Sequence, residues 1–597
     1  MSVRRTRKSE KKLWDEDYTK TRLKRSKNRA VILSTIVFFC FSVICVRLSY
    51  LMVVDHEKLS QRAERQYRRT KVLRPQRGVI WDRNMRELAV NVETDSLYAV
   101  PSQVNDVDEL SFLLAPLIKT SAGGLSGKIS ARKNKEFIWL ARKMDRETSF
   151  RVNKLKSRLK LSELGVLTET KRYYPKGRIA AHILGHTNID NEGLAGIELE
   201  YDSYMKGKAK KVQLGRDARG YSLSNGIEDN IQGYSLLLTI DEGIQHIVER
   251  EIDIAVQKWE AEAAVVIMMD PKSGRILAIA NRPTYDPNLP GKVSAAGRRN
   301  RAITDMYEPG STFKAILASA AIDEGVVKRG EKFDVSDGYI KVPGGVIRDV
   351  HRHGILDFRE VIQKSSNVGA VQIGNKLGKE LYYEYMRKFG FGEKTGIDLP
   401  GETRGLLRRP ENWSGRSLAS MSIGQEIGVT PLQLLRAYSA IANGGKLMRP
   451  YVVSEIISSE GEVIKRFSPK MERRVISRYC SAIMRGILKT VVEEGGTARR
   501  AFIKGNPVAG KTGTAQMVDP ETGGYSKNDY VSSFVGFVPA DDPELALIVV
   551  VYKPRGARYG GVVAAPVFRS IIEDTLVYLN IPMEREENSV LLVSKTR

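Results

Sequence analysis

At 597 residues, with 42% hydrophobic and 28% charged residues, the chain exceeds a single hydrophobic core and has the composition of a folded protein, not a disordered one. The net charge of +26 suits polyanionic surroundings. No aromatic-interleaved basic block of the kind single-stranded nucleic acid requires is present, so nucleic acid is excluded and membrane lipid or an acidic polymer is left.

The first 29 residues concentrate the charge, with 12 Lys/Arg against 4 Asp/Glu. Residues 30–54, AVILSTIVFFCFSVICVRLSYLMVV, follow with Arg47 as their only charge. At about 1.5 Å per residue this run reaches roughly 37 Å, more than a hydrocarbon core of about 30 Å. Arg47 lies near the outer end, where its stem can snorkel to the headgroups. The run exceeds a signal-peptide core, and no small-x-small cleavage site follows it. The expectation is an uncleaved single-pass anchor in the cytoplasmic membrane. Residues 1–29 then form a cytoplasmic tail, and the chain beyond 55 is extracytoplasmic. Cys40 and Cys45 fall inside the anchor, which leaves Cys480 alone outside and allows no internal disulfide there.

After the anchor, residues 55 to about 70 read as a charged helical stalk. Arg77-Gly-Val-Ile-Trp-Asp-Arg-Asn84 reads as a strand breaking into a turn, and residues 87–92 as a second strand. Residues 105–170 carry helical periodicity and much charge but no catalytic signature. From 172 to 233, short strands alternate with Gly-rich turns. Residues 55–230 therefore read as a non-catalytic α+β pedestal for interaction or dimerisation.

Residues 241–259 place Ile244, Ile247, Val248, Ile252 and Val256 on one helical face. Residues 264–270 and 275–280 flank Pro-Lys-Ser-Gly, a hairpin signal. Three more strands read at 507–517, 531–538 and 545–552, and an apolar-faced helix at 566–579. The expected fold for 231–580 is a five-stranded antiparallel sheet flanked by helices, with a helical subdomain between. Residues 581–597 read as a peripheral tail.

Acyl transfer needs a nucleophile, a base beside it and donors for the oxyanion. Tyr307-Glu-Pro-Gly-Ser-Thr-Phe-Lys314 supplies the first two. The apolar run from Ser311 to Ile322 predicts a helix that stacks Ser311 and Lys314 on one face, with Ser311 at the positive end of the dipole. Apolar neighbours favour the neutral, basic form of Lys314. The spacing alone is weak: Ser9 and Lys12, Ser130 and Lys133, and Ser157 and Lys160 share it on solvated faces. Two further motifs follow in order, Ser365-Ser366-Asn367 and Gly510-Lys511-Thr512-Gly513-Thr514. Each has decoys, Ser26 with Asn28 and Ser526 with Asn528 for the second, and Lys394-Thr-Gly396 for the third. All three in sequence are hard to obtain by chance.

Two competing motifs are set aside. Gly505 to Thr512 matches a phosphate-loop pattern, but Pro507 lies inside it and a strand-like run follows where a helix is needed. His351 and His353 lack a carboxylate cluster and read as loop residues, so no metal is expected. No cofactor is implied.

The chain resembles the class B penicillin-binding proteins, monofunctional peptidoglycan D,D-transpeptidases with a serine β-lactamase-like catalytic domain, and most closely their division-specific type. The likeness extends to Gly193-Leu-Ala-Gly-Ile-Glu198, Thr395-Gly-Ile-Asp-Leu-Pro-Gly-Glu402, Ser422-Ile-Gly-Gln425 and Tyr559-Gly-Gly-Val-Val-Ala-Ala-Pro566. The resemblance implies that Ser311 attacks the penultimate D-Ala carbonyl of a stem pentapeptide and Lys314 takes its proton. Ser365 relays a proton to the leaving amine, Asn367 holds Lys314 and the substrate amide, and Lys511 adds positive potential. Thr512, Gly513 and Thr514 bind substrate, and the backbone amides of Ser311 and Thr514 form the oxyanion hole. A stem-peptide amine is the acceptor, and β-lactams acylate Ser311. The implied partners are a polytopic SEDS-type (FtsW-like) glycosyltransferase and other division proteins. An elongation or sporulation transpeptidase, a lactam sensor and a division scaffold are the alternatives.

Overall fold

The computed structural model describes residues 6–73, 75–207, 210–215, 232–328, 330–519 and 522–581. The tail read at 581–597 lies, apart from its first residue, outside the described residues. The chain divides into two compact units.

The first unit comprises residues 1–74 and 209–230. A 44-residue helix, Thr6–Ser49, continues through a π-helical turn, Tyr50–Val54. Among the described residues one stretch, Arg22–Val54, is long and apolar enough to cross a membrane, and it fits a single-pass anchor. Its large side chains are bare, with Phe38 72% and Val53 79% exposed. That much uncovered apolar surface is stable only in an apolar surrounding. The stalk helix is His56–Tyr67. The next residues form a strand instead of extending it, because Arg68–Leu73 pairs antiparallel with Lys210–Gly215, a partner about 140 residues away.

Among its described residues the second unit contains two large sheets and three two-stranded ones. One has seven strands, in the order Val463–Arg466, Val453–Ile457, Ser235–Leu238, Ile80–Trp81, Glu87–Ala99 and Ile138–Met144, with Leu164–Tyr173 also paired to Glu87–Ala99. The helices Val107–Leu114, Ala122–Ser130 and Arg146–Leu159 lie in the segment whose periodicity is helical. That segment also holds the strands Ile138–Met144 and Leu164–Tyr173, which helical periodicity does not announce. Both carry a Lys and an Arg and are only partly buried, and Leu164–Tyr173 adds two Thr and a Glu, so their two-residue alternation is diluted by polar residues.

A buried ion network braces this region. Arg77 Nε donates to Glu198 Oε2 at 2.5 Å and Arg172 Nε to Glu198 Oε1 at 2.7 Å. Arg77 also reaches Asp202 at 2.6 Å, and Tyr174 OH donates to Glu198 at 3.2 Å. Glu198 is fully buried, and although burial opposes its charge, the two guanidiniums hold its carboxyl below the usual range. The Arg77 and Glu198 motifs are thus structural partners.

The second sheet has five antiparallel strands in the order Ala509–Val518, Tyr525–Val538, Leu545–Tyr552, Ala263–Met269 and Ile276–Arg282. Every residue of the last three is buried, so both faces are covered. The helices Glu242–Lys258 and Ala565–Tyr578 pack on it and on each other, and the fully buried helix Pro431–Ala442 also packs on it. Asp241 joins the first two: it caps Glu242–Lys258 and accepts a hydrogen bond from Tyr578 OH at 2.9 Å. The helical lobe includes Lys314–Asp323, Phe358–Gln363, Asn367–Leu377 and Arg478–Thr490.

Glu198→Ala is expected to cost about 3–5 kcal/mol, because buried Arg172 loses its counter-charge and buried Arg77 keeps only Asp202. Thermal unfolding of the purified protein checks this, and a melting temperature equal to wild type would refute it.

Candidate active site

Ser311 does not open an α-helix. It lies in the 3-10 turn Gly310–Phe313, and the α-helix begins at Lys314 and runs to Asp323. Gly310 at φ +56° and Pro309 set the turn. The i, i+3 argument survives, since a 3-10 turn eclipses such residues. The turn is clamped on several sides. Tyr438 OH donates to the Thr312 carbonyl at 2.6 Å, Gly310 N donates to Gly424 O at 3.0 Å, and the Phe313 ring lies 5.0 Å from that of Phe391.

Lys314 is fully buried, and its Nζ donates to Ser365 O at 2.6 Å, Asn367 Oδ1 at 2.7 Å and Ser365 Oγ at 3.3 Å. Lys511 is also fully buried and donates to the same Ser365 Oγ at 2.9 Å. Two lysines therefore share one hydroxyl. Burial pushes Lys314 down to about 7, with Asp349 partly opposing the shift. Lys511 is pushed well below its ordinary value by burial and by the neighbouring charge of Lys314. Ser311 Oγ makes no hydrogen bond among the described residues, so its hydroxyl is free for a substrate.

Ser365 adopts φ +61°, a left-handed conformation that is costly for a residue with a Cβ. The fold pays for it through Asp349, which sequence reasoning missed. Asp349 Oδ2 accepts from Ser366 Oγ at 2.7 Å, and Oδ1 accepts from the amides of Asn367 and of Val368, the latter at 3.0 Å. Asn367 Nδ2 completes the brace by donating to Arg348 O at 2.8 Å. No local pattern marks Asp349, because its partners lie 17 to 19 residues away.

Lys511, Thr512, Gly513 and Thr514 sit on the edge strand Ala509–Val518, where Gly510 to Thr512 belong to a strand and not to a phosphate loop. Gly513 is required by contact. A Cβ there would lie 2.9 Å from Pro309 O and 2.4 Å from Ser533 Oγ, so only glycine lets the strand close on the nucleophile turn. Thr512 Oγ1 pairs with Thr497 Oγ1 at 2.9 Å, and Thr514 Oγ1 accepts from Gly560 N at 3.1 Å. Ser311, Ser365, Asn367, Thr512 and Thr514 all line one cleft of about 630 Å³. His351 and His353 lie on its wall. The decoy Lys394-Thr-Gly396 is a turn in which Thr395 N and Gly396 N donate to Glu402 at 2.7 and 3.1 Å.

This arrangement matches known proteins. Residues 264–573 match the penicillin-binding protein transpeptidase domain model and 72–238 the penicillin-binding protein dimerisation domain model. The chain is 38% identical to stage V sporulation protein D of Bacillus subtilis, over 92% of its own length and 85% of the relative's. It is 32% identical to the peptidoglycan D,D-transpeptidase FtsI of Escherichia coli, over 93% and 92%. Penicillin-binding protein 3 of Mycobacterium tuberculosis complexed with aztreonam superposes with a TM-score of 0.66 at 28% identity, covering 86% of this chain and 98% of that one.

Two outcomes follow from the geometry. The rate at which a fluorescent penicillin acylates Ser311 should climb with pH through about 7, as Lys314 loses its proton; the apparent midpoint belongs to the Lys314–Lys511 pair. The same depression, from 10.5 unfolded to about 7 folded, makes the unfolded chain bind more protons across that window, so this group's contribution to stability rises with pH there. A flat rate between about pH 6 and pH 8 would count against Lys314 as the base. Secondly, Lys511→Ala should slow acylation about 100-fold while Lys394→Ala leaves it near wild type; equal losses would misplace the third motif.

Proposed function

The chain belongs to the class B penicillin-binding proteins, and on that premise we propose that its D,D-transpeptidase activity cross-links septal peptidoglycan through an acyl-enzyme on Ser311. The observation that carries the assignment of roles is Ser365 Oγ, held at 3.3 Å from Lys314 Nζ and 2.9 Å from Lys511 Nζ. Neutral Lys314 takes the Ser311 proton as Ser311 Oγ attacks the penultimate D-Ala carbonyl of a stem pentapeptide. The ester C–O bond forms and the amide C–N bond breaks. Ser365 passes a proton to the departing D-Ala nitrogen, and Lys511, relieved of the Lys314 charge once Lys314 is neutral, donates to the relay hydroxyl and keeps it in a positive field.

The amides of Ser311 and Thr514 would receive the oxyanion, and Asn367 would orient the substrate amide. The strand bearing Thr512 and Thr514 lies at the sheet edge, so an extended peptide can add to it, with the two hydroxyls meeting the terminal carboxylate. A stem-peptide amine then attacks the ester and returns the proton to Ser311. The tail lies on the cytoplasmic side of the membrane, the catalytic domain on the other side, and a polytopic SEDS-type glycosyltransferase that supplies glycan strands contacts the anchor.

A sporulation role is the second reading. It is favoured by the 38% identity to the Bacillus subtilis sporulation protein, against 32% to the Escherichia coli division enzyme. A tagged copy in dividing cells separates the readings. Midcell labelling supports division, labelling confined to the forespore supports sporulation, and lateral-wall labelling rejects both.

Ser311→Ala should abolish covalent penicillin labelling, and Lys314→Ala should be nearly as damaging, since an unactivated hydroxyl is a poor nucleophile. The double variant should be scarcely worse than either single one, because the two act as a unit. Labelling of a well-folded Ser311→Ala protein at the wild-type rate would end the acyl-enzyme proposal.

A further inference from the structure

Away from the reacting groups, the cleft is unevenly charged. Lys364, Arg499, Arg500 and Arg558 line it, and Asp349 is the one carboxylate among the described lining residues. Both oxygens of Asp349 are already committed to Ser366 Oγ and to the amides of Asn367 and Val368. Arg499 and Arg500 stand exposed in the 3-10 turn Arg499–Ala501, with no side-chain partner among the described residues.

Arg558 is held differently from an ordinary surface arginine. Its Cζ lies 5.1 Å from the ring centroid of Tyr530 and 5.3 Å from that of Tyr559. Nη1 donates to Tyr530 OH at 3.0 Å and Nη2 to Tyr559 OH at 3.4 Å. Its carbonyl accepts from Ser532 Oγ at 2.5 Å, and two residues on, Gly560 N donates to Thr514 Oγ1 at 3.1 Å. The guanidinium is therefore fixed beside the Thr514 strand by aromatic faces, with no carboxylate paired to it among the described residues. Two of its five N–H donors are used, and the others have no partner among the described residues. Arg558 is exposed, and its two tyrosine contacts restrict the guanidinium before an anion arrives.

We propose that Arg558, with Arg499 and Arg500, forms an anion subsite that recognises a carboxylate of the peptide substrate in addition to the terminal carboxylate assigned to Thr512 and Thr514. The subsite rests on the acyl-transfer reading of the same cleft. One terminal carboxylate leaves the guanidiniums of this wall uncompensated, whereas a strand bearing a second carboxylate meets a planar, bidentate donor. That strand is either the acyl donor or the amine acceptor.

The test uses the full chain in detergent and reads ratios. Benzylpenicillin and carbenicillin differ by one carboxylate on the acyl side chain. In Arg558→Gln, the carbenicillin-to-benzylpenicillin ratio of acylation rates should fall about fivefold, with partial recovery in Arg558→Lys. In wild type the ratio should shrink on going from about 0.05 to about 0.5 M salt. In a second arm, a thioester donor with a single carboxylate acylates Ser311, and D-alanine competes with D-alaninamide as acceptor. A changed ratio in the first arm puts the recognised carboxylate on the donor, and a change confined to the second puts it on the acceptor. The exposed pair Arg499→Gln/Arg500→Gln gives the same readouts if Arg558→Gln does not fold. Unchanged ratios in both arms overturn the subsite. Failure of benzylpenicillin to acylate wild type at all overturns the acyl-transfer reading instead.

Discussion

Two buried lysines that share one serine hydroxyl govern the architecture around them. An ammonium removed from water costs several kcal/mol unless its protons find acceptors or one of them leaves. Lys314 has three acceptors, all from Ser365 and Asn367. Lys511 has the hydroxyl that Lys314 also uses. Two full charges so close in a dry site repel, which is why burial and mutual repulsion both drive Lys511 toward its neutral form. A base with a proton to lose near neutral pH is the outcome of that packing, not a property of lysine itself.

The neighbouring irregularities can be traced to this requirement. Ser365 can offer its carbonyl and its hydroxyl to one lysine only by turning back on itself, hence its left-handed backbone. That conformation is held because Asp349 ties down the residues immediately after it. Lys511 comes within reach because Gly513 lets its strand close against Pro309 and Thr312. Successive side chains along a strand alternate, so Lys511 and Gly513 take one face while Thr512 and Thr514 take the other. One edge strand thus serves the proton relay and the substrate seat without either crowding the other.

How much of this the sequence discloses depends on range. Ser311, Lys314, Ser365, Asn367 and Lys511 are legible because the chemistry demands those residue types at short spacings, and the structure brings all but Ser311 into direct hydrogen bonding. Three strands of the five-stranded sheet are legible because they are buried on both faces and read as continuous apolar runs. The 3-10 start of the nucleophile segment is not, since a helix and a tighter turn share the same apolar run. Asp349, the pairing of Arg68–Leu73 with Lys210–Gly215, and the recruitment of Val453–Ile457 into the sheet of Ser235–Leu238 are long-range facts. Periodicity carries no information about them.

The same long-range pairing explains why residues 75–208 and 231–597 form one compact unit in spite of containing two large sheets. Ser235–Leu238 belongs to the first sheet, and only three residues later Asp241 N donates to Leu277 O in the second, at 3.0 Å. Between them, Thr239 Oγ1 donates to Ile276 O at 2.7 Å. Asp398 makes a second tie, accepting from Val452 N at 2.7 Å, Val453 N at 2.8 Å and Tyr201 OH at 3.0 Å. Burial raises the Asp398 pKa, and those three donors are what offset the cost of its charge. These groups draw partners from across the seam, and leaving a buried one unpaired costs about 1–3 kcal/mol. Parting the two sheets would expose several at once. The motif Thr395 to Glu402, which contains no reacting group, therefore earns its place as a fastener: Glu402 shapes the turn that presents Asp398 to the seam.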